Sequence, residues 1–437
     1  MSTTPTVVTS RPGAPVDAYG LALTTSHEAA DLYNDGLRAL LGVRRGAVES
    51  VAAAVAVDPT FALGHATLAL MGHEFGAHVN LPGRVAAALR HSRRSTERER
   101  SHVHAVISYL QGDPEPLIAH LRTYPRDALL LSVAVPTIAF AGVTSVPEQA
   151  WSIVEGAADA YGDDWWYAGL LGFIRQEQGR FDEAMSLAQR SLAANPGAGH
   201  SVHARAHVHY ETGDHDAGLR WISEWIDTSG PDADNLAHFS WHAALHELSN
   251  GDLTAVRTRF ENELAPPHAT GCRALVDSAS LLWRWSLTPG ATEVPDAAVV
   301  LEQVSRCDLV EPQTPFLAMH AAVGLCAAGD LDRLELLRRW CTRHGDQTMR
   351  EVASPLCDAL LSIRRGLHST AADRLAGLAA TAWRLGGSDA QREIIEDTRI
   401  AALIASRRHA EAAALLDARL DRRHAHRDQL WRGDLPL

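Results

Sequence analysis

Three breaks in this 437-residue chain repeat one grammar. A helix-like run stops at Val57-Asp58-Pro59, again at Thr123-Tyr124-Pro125, and again at Ala194-Asn195-Pro196. Proline lacks the amide hydrogen a helix needs and pushes the residue before it towards extended backbone, so each break is a hard stop. Each is followed by a run of mostly small apolar residues: F-A-L-G-H-A-T-L-A-L, D-A-L-L-L-S-V-A-V and G-A-G-H-S-V-H-A-R-A. The stops lie 66 residues apart (Pro59 to Pro125) and 71 apart (Pro125 to Pro196). Elsewhere, segments of about 12–18 residues carry apolar positions at i, i+3, i+4 and i+7, and strand-like alternation is nearly absent. The expected fold class is all-α.

That spacing is about two units of the ~34-residue tetratricopeptide period. The stretch Q-G-R-F-D-E-A-M-S-L-A-Q-R-S-L-A-A-N-P, ending at Pro196, reads as the second helix of such a repeat, with Phe181 and Ala184 packing inward. One repeat cannot bury its own apolar face; stacked repeats share a core and wind into a superhelix. The expected architecture is a tetratricopeptide-like helical-repeat superhelix, an α-solenoid with a concave or enclosed central pocket. An irregular segment is expected over 1–20, a single α-helical repeat domain over 21–425 and a C-terminal tail over 426–437. Beyond residue 271 the repeat signatures weaken.

Every basic residue is arginine; the chain has no lysine. A lysine-linked cofactor, a Schiff base and a P-loop lysine are excluded. The formal charge of −13 offers no footprint for nucleic acid or an anionic membrane. The five cysteines are odd in number and none forms a C-x-x-C pair, which fits buried thiols in a cytoplasmic protein. No secretory leader is read at the N-terminus. The longest apolar stretch, Ala128 to Val143, is too short to span a membrane and reads as a buried helix.

Chemistry concentrates in two histidine runs. The first, H-S-V-H-A-R-A-H-V-H, holds His200, His203, His207 and His209; the second, H-F-S-W-H-A-A-L-H, holds His238, His242 and His246. Residues four apart share a helix face, so two neighbouring helices would bring His203, His207, His238 and His242 together. Imidazole suits both metal ligation and proton transfer near neutral pH. The four are candidate ligands of a divalent transition metal or candidate general acids and bases. Glu211, Asp232, Asp234 or Asp277 would complete the set, with Asp277 orienting a ring. His246-Glu247 is not followed by the second histidine of a zincin. A structural reading remains beside this one: histidines of small-residue helices also serve in hydrogen-bonded polar cores.

Other residues are weighed in the same way. Trp241, beside His242, is either core packing or a pocket wall. Asp277 and Arg284 are seven apart, two α-turns along one face, and either form a buried pair or hold a histidine and an anionic group. His65 and His320 are single histidines on apolar helices, pocket residues only if the superhelix closes. His102, four after Arg98, reads as a solvated or paired helix face. Gly386-Gly387-Ser388 reads as a left-handed stop followed by an N-cap, with Arg392 available to an anion there.

Several stretches carry a resemblance: T-S-H-E-A-A near residue 25, D-P-T-F-A-L-G-H-A at 58–66, R-E-R-S-H-V at 98–103 and V-H-A-R-A-H-V-H at 202–209. Further ones are H-F-S-W-H-A-A-L at 238–245, V-D-S-A-S-L-L-W-R at 276–284, P-L-C-D-A-L at 355–360 and L-G-G-S-D-A-Q-R-E at 385–393. Together they resemble the tetratricopeptide repeat protein 38 family, in a bacterial member, over nearly the whole chain. The resemblance implies an all-α repeat fold and no agreed activity. Against the family pattern, Val135-Pro136 stands in place of a His-Asp pair, Tyr210 in place of a glutamate, and Ala318 in place of an aspartate.

The expected function is an enzyme or small-molecule binder of small-molecule metabolism. His203, His207, His238 and His242 would act with Asp277, and Arg284, Trp241, Arg392, His320 and His65 would contact the ligand. The alternative is a scaffold that grips a peptide or protein partner on its concave face.

Overall fold

The computed structural model describes residues 13–74, 77–134 and 147–435. Within them the chain is all-α: helices without a β-strand, with an isolated bridge between Val16 and Ala22. The packing resolves two compact units, Met1–Leu170 with Ala198–His200, and Leu171–Gly197 with Ser201–Leu437. The sequence reading placed one repeat domain over 21–425. Val135-Pro136 lies outside the described residues, and of the Ala128–Val143 stretch only the buried helix Ala128–Ala134 is described.

The proline stops fall where helices end. Ala47–Val57, Glu115–Thr123 and Phe181–Ala194 terminate at Asp58, Tyr124 and Asn195, whose amides close the last turn onto Ala54, His120 and Ser191. The next helices, Ala62–Glu74, Ala128–Ala134 and Gly199–Glu211, are the small-residue runs.

In the first unit, His27–Leu41 packs on Ala47–Val57 at close range. A Cβ at Gly36 would meet Val51 Cγ2 at 2.6 Å and the Ala47 carbonyl at 2.9 Å, so only glycine fits. Glu97–Leu110 opens with a capping box in which Thr96 and Glu99 satisfy each other's amides. Glu99 also accepts from the Thr24 amide at 2.7 Å, tying the irregular entry segment to this helix.

Two kinds of helix recur. Every residue of Ala62–Met71 is buried, as is every one of Ala237–Ser249 and of Phe316–Cys326. Such helices are enclosed on all sides. Their partners in sequence bury one stripe only: Ala184, Leu187, Ala188 and Ser191 in Phe181–Ala194, or Leu334, Leu337 and Cys341 in Leu331–Arg343. The enclosed helices are built from Ala, Leu and Gly because neighbours approach from every direction. Any polar side chain on them must find its partner inside the protein.

Near the C-terminus the expected tail instead carries the helix His426–Gly433, with Arg427, Asp428 and Trp431 buried. Arg427 is there because Asp397 is there. The fully buried Asp397 carboxylate accepts from Arg284 at 3.1 Å, Arg427 at 3.0 Å and Arg419 at 2.7 Å. Burial alone would raise Asp397; Arg427, Arg419 and Arg284 outweigh it and hold the carboxyl below its ordinary range.

Removing one member of such a set leaves the others buried and uncompensated. Asp397→Asn is expected to cost about 3–5 kcal/mol, read as a shifted urea midpoint. A loss under about 1 kcal/mol would show that the three arginines are held by something else.

Candidate metal centre

Four imidazoles meet in the second unit. Gly199–Glu211 presents His203 and His207 from consecutive turns, and Leu236–Ser249 presents His238 and His242 in the same way. All four are buried. The His203 ring centre lies 4.6 Å from His207 and 4.9 Å from both His238 and His242. His242 lies 4.6 Å from His207 and 4.9 Å from His238.

What matters is which atoms meet. His238 Nδ1 is 2.8 Å from Asp277 Oδ1, so it carries the proton and donates it to the carboxylate. Neutral His238 therefore points an Nε2 lone pair into the cluster. His203 Nε2 stands 3.0 Å from that atom and 3.1 Å from His207 Nε2. One proton on His203 Nε2 cannot lie along both contacts, so at least one pair of nitrogens faces without a linear hydrogen bond. A cation satisfies what a proton does not. Metal–nitrogen bonds of about 2.0–2.1 Å place adjacent ligand atoms about 3.0–3.4 Å apart, which is the spacing present. One ligand atom each from His203, His238 and His242 also falls within 4.8 Å of the others, and His242 Nε2 has no hydrogen-bond partner.

Burial keeps His207 and His242 in the form a metal needs. Desolvation above all, with His238 and Arg392 nearby, pushes His207 down to about 3. His242 is held well below its ordinary value by burial and by His207, His238 and His246. Neutral imidazoles bind a metal without first losing a proton. Aromatic walls close the cluster: Phe173 stacks on His203 at 5.1 Å, and Trp241 stacks on His238 at 5.6 Å while meeting His242 edge-on at 4.9 Å.

Asp277 reaches His238 from Ala274–Ala279, a π-helical segment inside a longer helix. Its extra residue per turn removes the expected alignment of Asp277 with Arg284 two α-turns on. Arg284 belongs to the Asp397 network instead and donates to the carbonyls of Ala390 at 2.5 Å and Gln391 at 3.1 Å, so its role is structural rather than ligand-binding.

The remaining candidates divide. His320 is fully buried, neither ring nitrogen has a hydrogen-bond partner, and Asp277, Arg284 and His238 are its titratable neighbours. Ala318 is buried on the same helix. Arg392 bonds Gly386, Gly387 and Asp389, closing its own helix start; Ser388 and Gln391 form the capping box. His65, in the first unit, bonds the Pro59 carbonyl at 3.0 Å and Arg84 at 3.3 Å, a local helix-start role. His209 leaves the cluster for Asp214 at 3.3 Å. His246, one turn beyond His242, pairs through Nδ1 with His215 at 3.1 Å. His215 lies outside both histidine runs, and neither it nor Phe173 had a signal in the sequence.

A cavity of about 440 Å³ lies in the second unit, and none of the four histidines lines it. Its lining includes Glu177, one turn after Phe173, and Glu211, one turn after His207, together with Arg392 and Trp383. Burial raises Glu177 to about 7 against the opposing pull of Arg392, and raises Glu211 to about 7 against Arg423, 3.2 Å away. Tyr210 donates to Glu393 at 2.6 Å beside them.

The first unit holds a second group with ligand-like spacing, His102, His120 and Asp127. Its chemistry differs. Asp127 Oδ2 accepts from His102 at 2.7 Å, His120 at 3.1 Å and Arg98 at 3.3 Å, and His120 Nδ1 reaches Ser101 at 2.8 Å. Donors surround one carboxylate, with a fixed cation already among them. This is a held anion rather than an open ligand set, and it gives His102 a buried partner where a helix-face pairing was expected.

No protein-family model matches the chain. Among the described residues no helix is long and apolar enough to cross a membrane.

Burial would raise Asp127, but His102, His120 and Arg98 hold it well below the ordinary carboxylate range. A carboxyl depressed by folding stabilises the fold above its unfolded pKa, and that share fades as pH falls through the folded value. Asp127→Asn is therefore expected to be clearly less stable at pH 7. The gap to wild type should narrow in acid, as read by urea unfolding across pH. A gap independent of pH would contradict the held-anion assignment.

Proposed function

We propose that this chain is a tetratricopeptide-type helical-repeat protein of the tetratricopeptide repeat protein 38 family that binds a divalent transition metal and acts on a small molecule. His203, His207, His238 and His242 are the ligands. The observation that carries the reading is the meeting of three Nε2 atoms at 3.0 and 3.1 Å with His238 oriented by Asp277. A bound divalent metal supplies Lewis-acid activation of a substrate oxygen. Asp277 holds the His238 tautomer, and Phe173 and Trp241 keep bulk water from the rings. Glu177 and Glu211, raised to about 7, suit proton transfer near neutral pH for a substrate entering the cavity they line.

A peptide-binding scaffold is the alternative. Against it, the four imidazoles are enclosed, so they are no contact stripe for a partner chain. A structural polar core is the other rival, and metal analysis separates it.

Untagged protein prepared without chelator is expected to carry close to one equivalent of a transition metal by elemental mass spectrometry, and His207→Ala/His242→Ala to lose it. Stripping should lower the melting temperature, and the right metal should restore it. No metal in the wild type, and no thermal response to zinc, manganese, iron, cobalt or nickel, would overturn the proposal. Asp277→Asn should keep the fold and weaken metal binding by about 10- to 100-fold, the usual effect of losing a partner that orients a ligand. Unchanged affinity would remove Asp277 from the site.

A further inference from the structure

A second cavity of the second unit, about 580 Å³, has a donor-rich wall in an acidic chain without lysine. Arg306, Arg339 and Arg343 line it with His344. Arg339 is engaged by Glu335 at 3.1 Å. Arg306 and Arg343 have no hydrogen-bond or ion-pair partner for their guanidinium groups among the described residues. Glu311 is the one carboxylate on the lining, and it pairs with neither.

The other side groups are fixed in place. The Asp346 amide donates to His344 Nδ1 at 3.0 Å, so neutral His344 carries its proton on Nε2 and offers a donor there. Arg350 clamps the same turn through the carbonyls of His344 at 2.7 Å and Gly345 at 2.6 Å. Trp340 is pinned by its indole N–H to the Pro312 carbonyl at 3.3 Å. Trp340, Leu336 and Val310 supply the apolar part of the lining.

From this arrangement we infer that the cavity is a binding site for a small organic anion, a planar apolar body carrying a phosphate or carboxylate. Arg306 and Arg343 take the anionic group in the forked geometry guanidinium offers to either oxyanion. Trp340 and Leu336 take the body. The site shares no residue with the histidine cluster and stands whether or not a metal is bound there.

The test is calorimetry on the full chain after chelator treatment, so that an oxyanion cannot report on a metal. The probes are 1-naphthyl phosphate, 1-naphthoate, inorganic phosphate and 1-naphthol. At least one naphthyl anion should bind about tenfold or more tighter than both inorganic phosphate and naphthol, and which of the two binds identifies the head group. Arg306→Gln and Arg343→Gln should each weaken it by about tenfold, and Trp340→Leu should abolish the preference over inorganic phosphate. The two arginines are exposed, so melting temperatures should stay near wild type. Binding by neither naphthyl anion, or equal affinity in both arginine variants and wild type, would overturn the assignment. So would equal affinity for inorganic phosphate.

Discussion

Enclosure of alternate helices is the constraint on which the rest of the protein depends. A helix surrounded on all sides cannot leave a polar group to water, and an unpaired one costs about 1–3 kcal/mol. Leu236–Ser249 nevertheless carries His238, His242 and His246, all buried. Gly199–Glu211 adds the buried His203 and His207. Their side chains are too many for the backbone carbonyls of helices whose own ladders are complete. They are driven onto one another, which is why ring meets ring here.

The interior settles buried polarity in two ways. Asp127 and Asp397 are anions ringed by donors: two imidazoles and an arginine in one case, three arginines in the other. Each contact there joins a donor to an acceptor, and folding alone completes the set. The four-histidine cluster has no such closure. Asp277 sits on the outer side of His238, and the inward nitrogens face one another. Equal spacing thus conceals opposite chemistry.

The sequence made the local part of this legible. Proline stops located the helix ends, the four-residue spacing located the paired histidines, and Ser388 with Gln391 marked a cap. Asp277 is one of four acidic residues the sequence offers beside the histidines, and its carboxylate lies 2.8 Å from His238 Nδ1. What stayed hidden depended on distance along the chain or on departure from α-geometry. Arg284 meets Asp397 across 113 residues, and no periodicity reports such a pairing. The same distance explains why residues 426–433 read as a tail: their polar composition is that of a buried counter-charge as much as of a solvated end. His102 lies in a helix and Asp127 in the loop just before another, so the helix-face reading of His102 missed its acceptor.

The π segment at Ala274–Ala279 carries the argument a step further. A continuous α-helix would have kept its standard ladder and set Asp277 and Arg284 along one face. Instead, the helix widens over the residues that contain Asp277, and the carboxylate lands 2.8 Å from His238 while Arg284 turns to Asp397. π segments are unfavourable relative to α and recur at functional sites. One helix here serves two demands that α-geometry does not meet together: closing the Asp397 network and fixing the His238 tautomer. A polar core needing only hydrogen bonds could have used any nearby acceptor for His238. Fixing Nδ1 as the donor, so that Nε2 points inward as a lone pair, is what a metal ligand requires.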